Sequence, residues 1–528
     1  MKRAKQWQGL VLSACMAGTM VLAGCGNNNG ENSAASETVK ASASAGASTS
    51  ATASASAPSP ANLAPVELSW YVPGTPQKDT ELVEAEIDKY LKEKINATVK
   101  IKFIDWSSFE QKINAMTATG ENLDLVFTAS WFNNYITNAG KGAYVPLNDL
   151  LDQYGPHLKE KFGKYLPSAQ VNGKLYAIPY NISAMALQRG IDVSKELADK
   201  YRFDPTGIKK LVDFEPLYAQ IVQNEKGIIP VGMDNNQRSY LAMYTLPYMF
   251  IDNKLPGAVK QGDDSLTVVN QYETPEFKQY AELMRSWNEK GFINKDSVSL
   301  KDSDTPLKAK KFAGIVDNAA PGWDVSFKNN YGFDIYQVTT TEPEITTSGI
   351  FSSMTAISKT SKNPERAMML LDLVNSDPAL LNLFAFGIEG KHYAVVDSSS
   401  DIKIIKRPDG VTAETNGYDL NGGGWLFADP WMLYDYSPDR VAQVEAQKAF
   451  VDTAKLSPIL GFVFNPDAVK TQVASVTAIF DQYMPALGSG SLDTDKALAE
   501  FTDKLNKAGA KEIVQEMQRQ IDAWKAQK

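Results

Sequence analysis

Tryptophan recurs in this chain beside side chains that hydrogen-bond through planar or hydroxyl groups: Trp70-Tyr71, Asp105-Trp106, Ser130-Trp131, Tyr180-Asn181 and Trp323-Asp324. Glu389 with His392, and a Gly-rich stretch carrying Trp425 ahead of Trp431, extend the same mixture. Indole and phenol planes offer flat faces on which the C–H faces of sugar rings can lie, while amides, carboxylates and guanidinium groups meet hydroxyls. A cleft that holds sugars needs both kinds of group in one place. Packing is the competing reading for each residue. Trp287 and Trp524 fall on apolar helix faces and read as core. Trp106 and Trp431 fit core or cleft equally, and His392 reads as a ligand contact or as a packing histidine at a hinge. His157 follows a Pro-Leu-Asn-Asp turn and reads as a surface residue.

Composition narrows the chemistry further. In 528 residues there are 53 Lys+Arg against 62 Asp+Glu, a net charge of −9. That balance argues against nucleic acid as a partner, since phosphate binding needs a basic surface. Two His and two Cys leave little room for a zinc site, an iron–sulfur cluster or a histidine relay, so no metal and no cofactor are expected. Asp302/Asp304 and Asp493/Asp495 have calcium-like spacing but lack the Gly and distal Glu of a full loop, and read as turns or helix caps. Lys308–Lys311 reads as a solvated helix face. Carboxylate pairs remain available, which leaves polysaccharide hydrolysis open as a second class of function.

The elements that must position these residues read as repeated βα units. Val66–Val72 is a strand ending in a turn at Pro73-Gly74, and Val83, Ile87, Tyr90 and Leu91 mark an amphipathic helix from about Gln77 to Lys94. Thr98–Ile104 alternates as a second strand, a helix follows over 107–118, then the strand Leu123–Thr128 and a helix from about Trp131. Such an order implies a parallel sheet with helices on its faces, and ligands bind beyond the carboxyl ends of its strands. Three strand ends each deliver a tryptophan there, in Trp70-Tyr71, Asp105-Trp106 and Ser130-Trp131. Later segments are more helical: Phe277–Lys290, Pro364–Asn375, and two terminal helices carrying Leu498, Phe501 and Leu505, then Ile513, Met517, Ile521 and Trp524. Phe312–Val316 and Thr355–Ser358 read as short strands, and no repeat of fixed period appears.

The amino terminus reads as address and tether. Lys2, Arg3 and Lys5 precede an uncharged apolar stretch over 9–24 that closes on Leu22-Ala23-Gly24-Cys25. The stretch is short for a ~30 Å hydrocarbon core and reads as a secretory signal. Its end resembles the bacterial lipobox, which implies a signal over 1–24 and lipidation of Cys25. Cys15 then leaves with the signal, so no disulfide forms and the core is stabilised by burial alone. Losing three basic residues makes the remainder more acidic than −9, so the lipid rather than surface charge must anchor it. Residues 25–65 are Gly/Asn, then Ala/Ser/Thr, then Pro: a flexible tether with a reach of roughly 35 Å.

Five segments, in order, carry a more specific resemblance: Gly142–Leu150, Asn172–Pro179, Ile357–Ala367, Gly387–Tyr393 and Ser457–Phe462. Together, behind a lipobox, they resemble the extracellular solute-binding proteins of ABC carbohydrate importers, in the branch of Gram-positive lipoproteins similar to LipO. The resemblance runs from about residue 66 to the carboxyl terminus. It departs at Trp425–Trp431, where the family often has a Trp–Gly–Asn cluster, so the ligand is expected to differ from the one best known for the branch. The resemblance implies a periplasmic-binding-protein-like type II fold of two α/β domains, joined by two or three crossovers and closing on a ligand by hinge motion. The expected division is a first domain over 66–180, mainly the second over 181–350, and 351–528 completing both. The implied protein is a monomer at the outer face of the cytoplasmic membrane. It would deliver a sugar or oligosaccharide to the transmembrane subunits of a permease, with no bond made or broken. The same fold binding a peptide or other solute is the alternative. A surface glycosidase would instead show a barrel or toroid order of elements, which the doubly wound start disfavours.

Overall fold

The computed structural model describes residues 63–235, 237–420 and 422–526; the signal, Cys25 and nearly all of the tether lie outside the described residues. The chain runs β1 (Val66–Pro73), α1 (Thr80–Ile95), β2 (Ala97–Ile104), α2 (Phe109–Thr119), β3 (Leu125–Thr128) and α3 (Tyr135–Gly140). It continues through β4 (Ala177–Pro179), β5 (Ala186–Ser194), α4 (Pro275–Glu289), β6 (Gly314–Ala319), α5 (Trp323–Tyr331), β7 (Ile335–Thr339), β8 (Glu344–Ile345), α6 (Thr347–Ile350) and β9 (Met354–Ile357). Then come α7 (Pro364–Val374), α8 (Pro378–Phe386), α9 (Arg440–Thr453), β10 (Lys455–Leu456), α10 (Lys470–Gly488), α11 (Thr494–Lys507) and α12 (Ala510–Lys525), with shorter pieces between.

The first sheet has the order β2-β1-β3-β9-β4. β1 pairs parallel with β2 from Val66↔Ala97 to Pro73↔Ile104, and with β3 through Trp70↔Leu125. β9 enters antiparallel, with Met354 opposite both Thr128 and Pro179. The carboxyl ends of β2, β3 and β4 therefore share one edge with the amino end of β9. Helix α1 covers the sheet because Val83, Ile87, Leu91 and Ile95 recur at four-residue spacing and are buried. It stops at Asn96, whose φ of 45° is left-handed, and the Arg366 guanidinium donates to the Asn96 carbonyl at 2.9 Å.

Two large apolar cores define two lobes. Leu68, Ile87, Phe127, Leu371 and Phe384 belong to one; Ile191, Phe214, Trp287, Phe480 and Met517 belong to the other. A small third cluster under α5 holds Phe312, Ile315 and Phe327. The second lobe is built on β6-β5, with β7 also pairing β5. The chain passes between lobes three times, and the passages are hydrogen-bonded together. In β8, Glu344 lies opposite Leu187 of β5 and Lys455 of β10. Three strands laced at one place form a compact hinge. Among the described residues no single helix is long and apolar enough to cross a membrane.

Two local expectations differ from the structure. The helix expected from Trp131 begins only at Tyr135: Asn133 adopts φ 44°, and Asn134 caps the helix by accepting from Thr137 N at 2.9 Å. The basic run Lys308–Lys311 is not a helix face, because the helix ends at Lys308 and Lys310 turns left-handed at φ 53°.

Candidate functional site

The shared edge of the first sheet carries a platform of three indoles. Trp106 follows β2, Trp131 follows β3, and Trp425 comes from a 3-10 turn over Gly423–Leu426. Their ring centroids lie 6.1 Å apart for Trp106–Trp131, 6.4 Å for Trp131–Trp425 and 6.5 Å for Trp106–Trp425. Phe132 supports Trp106 at 4.9 Å and Phe127 supports Trp425 at 5.7 Å. Trp131 stays 56% exposed and Trp106 41%, the open apolar faces a ring-shaped ligand needs.

Local chemistry explains why these rings stand out from the fold. The loop after β3 is pinned by buried Asn133, whose Nδ2 donates to the Phe127 carbonyl at 2.8 Å, while Thr128 Oγ1 donates to the Asn133 carbonyl. The Trp131 Nε1 donates to the Ser352 carbonyl at 2.7 Å, and Ser130 Oγ to the Ser348 carbonyl at 3.1 Å. Ahead of Trp425, Gly424 sits so close to Leu433 and Ala385 that a Cβ would fall 2.5 and 2.9 Å from them. Exposed Asp105 accepts from Ser107, and these hydrogen bonds hold its carboxyl below the ordinary range.

Trp323 and Asp324 open α5 on the other lobe; Trp323 is half-buried and joins none of the cores, and Asp324 is exposed. Trp431 of the first lobe reaches toward them through one amide. Its Nε1 donates to Gln447 Oε1 at 2.9 Å, and Gln447 Nε2 donates to the Pro321 carbonyl at 2.9 Å. In the same lobe as Trp323, buried Asp192 lies on β5 beside Asp317 of β6. Burial, then the Asp317 charge, raises the Asp192 carboxyl well above its ordinary range, with Arg238 partly offsetting them. A cavity of about 380 Å³ lies between the lobes, from Ser130 and Asn134 on one side to Arg189 and Tyr244 on the other.

Four expected contact residues are corrected by burial. Trp70 is 0% exposed and packs edge-to-face on Phe384 and Phe427 at 5.4 and 5.1 Å, so it is core. Tyr180 is fully buried and donates to the Leu426 carbonyl at 3.0 Å, holding the Trp425 turn in place. Buried Asn181 bonds Ser353 and Ser183. His392 is buried, with Nε2 3.1 Å from Asp79 and Nδ1 accepting from Ile388 N at 2.9 Å, so both ring nitrogens are used within the protein. Glu389 is exposed on the adjoining turn, and no contact among the described residues ties it to the platform. Asp493 caps α11, and Asp302 accepts from Asp304 N. Sequence reasoning missed Gln447, Arg189 and Tyr244. None has a tryptophan or a motif beside it, and only the crossover geometry brings them to the gap.

Comparison with known proteins places this architecture. The family profile described as "Bacterial extracellular solute-binding protein" matches residues 85–400, and a domain of unknown function (DUF3502) matches 458–526. A carbohydrate ABC transporter substrate-binding protein of Streptococcus pneumoniae is 30% identical over 470 residues, 87% of this chain and 91% of that protein. The lipoprotein LipO of Bacillus subtilis is 23% identical over 429 residues, 74% of each chain. Among solved structures, the N-glycan transport solute-binding protein NgtS of Streptococcus pneumoniae superposes with a TM-score of 0.75 at 28% identity, over 87% of this chain and 99% of that one. Its complexes with Man1GlcNAc and Man5GlcNAc superpose with TM-scores of 0.67 and 0.66. The chain belongs to the bacterial extracellular solute-binding proteins. Within them it belongs with the substrate-binding proteins of carbohydrate ABC transporters, a family of solute-binding transport proteins.

Proposed function

We propose that the ligand is a neutral oligosaccharide containing mannose and N-acetylglucosamine, held with its ring faces on Trp106, Trp131 and Trp425 and covered from the other lobe by Trp323. The observation that carries this reading is the three-indole platform, with neighbouring centroids 6.1–6.5 Å apart at the edge where such sheets bind ligands. The likeness to NgtS, solved with Man1GlcNAc and Man5GlcNAc, supports the choice of sugar. Hinge closure brings Asp324 and the loop at Pro321 toward the platform, where Asp105 supplies a second carboxylate for hydroxyls. Calorimetric titration of the purified protein with Man5GlcNAc, followed by chromatography of the recovered glycan, tests this. Saturable binding and intact glycan are expected; no binding to any mannose-containing glycan refutes the choice of ligand.

The same reading has the protein lipidated at Cys25, after removal of residues 1–24, and held at the outer face of the cytoplasmic membrane on the tether 25–65. The order of signal, lipobox and low-complexity run supports it, and the likeness to LipO is consistent with it. A Cys25→Ala form is expected in the medium; its retention in the membrane fraction contradicts lipid anchoring.

A further inference from the structure

Arg189 is placed where an ordinary structural arginine is not. Its side chain lines the 380 Å³ cavity between the lobes, half-buried, with Cζ 5.3 Å from the centroid of the Tyr244 ring. No ion pair and no side-chain hydrogen bond of its guanidinium is found among the described residues. A guanidinium carries five donors in a planar fork, and leaving them unmet away from bulk water is costly. Asp317 and Glu344 are the carboxylates whose charges reach it, Asp317 the more strongly, and Glu344 is the one that shares the cavity with it. Leu187 of β5 lies opposite Glu344 of β8, so strand alternation puts Arg189, two residues on, on the same face as Glu344. Such diagonal neighbours stand roughly 7–8 Å apart. The two side chains make no salt bridge, and the space between them opens into the cavity.

We propose that this cavity is a subsite for one sugar at the end of a neutral glycan, whose adjacent hydroxyls bridge the Arg189 guanidinium and the Glu344 carboxyl. A sugar diol is both donor and acceptor, so it satisfies a guanidinium on one side and a carboxyl on the other, which neither a purely cationic nor a purely anionic group does. The ligand is neutral because Glu342 and Asp252 also line the cavity and repel a carboxylate-bearing sugar. The volume lies within the range of small-ligand sites, about 300–1,000 Å³. Continuity supports the assignment: the cavity begins at Ser130, the neighbour of platform Trp131, so a glycan lying on the indoles extends into it. Arg189 and Glu344 also sit on two of the three laced hinge strands, so a sugar joining them to Ser130 of the other lobe bridges the lobes. The inference rests on the reading of the cleft as a glycan site.

Calorimetric titration of wild type, Arg189→Gln, Glu344→Gln and Trp131→Ala with Man5GlcNAc tests it. Arg189→Gln and Glu344→Gln are each expected to bind about 10- to 100-fold more weakly, the range for a hydrogen bond to a charged group. Their melting temperatures without ligand should stay near wild type. If Arg189→Gln melts early, Arg189→Lys keeps the charge without the fork and is expected to bind about tenfold more weakly. Binding within twofold of wild type by the Arg189 and Glu344 variants, with Trp131→Ala weakened, overturns the subsite and leaves the platform standing. Failure of wild type to bind Man5GlcNAc or any other neutral glycan overturns the glycan reading, and the subsite with it.

Discussion

Trp131→Ala separates a ligand-facing indole from a structural one by its two effects. The side chain is 56% exposed, and a tryptophan presents up to about 250 Å², so roughly 140 Å² remain open to water. A sugar ring covers one of the two faces, roughly 70 Å², worth ~1.7 kcal/mol at ~25 cal/mol per Å². Loss of that contact weakens binding about 15-fold. Without ligand the change removes the hydrogen bond to the Ser352 carbonyl and part of the contact with Trp106, together ~1–2 kcal/mol. In a protein of this size that lowers Tm by only about 4 °C or less. Calorimetry gives Kd and scanning calorimetry gives Tm on the same preparation. An unchanged Kd, or a fall in ligand-free Tm beyond about 10 °C, refutes the assignment of Trp131 to the ligand face.

Trp70→Ala is expected to act the opposite way, costing ~3–5 kcal/mol of stability by opening a cavity between Phe384 and Phe427, as denaturant unfolding would measure. Gln447→Ala removes the amide that links Trp431 to the Pro321 carbonyl, so small-angle scattering should show a larger ligand-free radius of gyration and titration a severalfold weaker affinity; no change in either contradicts a bridging role. Asp192 has a raised folded-state pKa, so its charged form destabilises the native state, and its contribution to stability is lost as pH rises through that value. Asp192→Asn should therefore raise Tm at pH 7, with the gain fading below pH ~4, the unfolded value; a lower Tm at pH 7 would show that attraction to the Arg238 charge outweighs burial. Tyr180→Phe should cost ~1 kcal/mol by freeing the Leu426 carbonyl, and should weaken ligand binding slightly through the Trp425 turn, measured by unfolding and titration together.

The strands and helices of the first lobe were legible because their burial patterns are local: Val83, Ile87 and Leu91 repeat at helical spacing, and Thr98–Ile104 alternates. The platform was half legible. Asp105-Trp106 and Ser130-Trp131 fall just past strand ends, where sheet topology alone assigns them to an edge. Trp70 lies three residues before the end of its strand, inside the register with β2 and β3, and strand alternation turns it into the core. His392 and Tyr180 looked like site residues because each lies within or beside a family motif, but their hydrogen bonds to Asp79 and the Leu426 carbonyl show those segments serving the scaffold. The late start of α3 depends on Asn133 in a left-handed conformation, which periodicity does not register. The groups at the hinge were invisible for another reason. Arg189 and Glu344 come from segments more than 90 residues apart and share one face only because the crossovers are laced side by side, while Gln447 reaches Trp431 and Pro321 from a helix far from both in sequence.

A crystal structure of the protein with Man5GlcNAc would show where the glycan lies in the cleft. Sugar rings are expected to lie on Trp106, Trp131 and Trp425, with Trp323 closing over them and a terminal sugar between Arg189 and Glu344. A glycan bound away from the three indoles, or a closed cleft that leaves them bare, would contradict that placement.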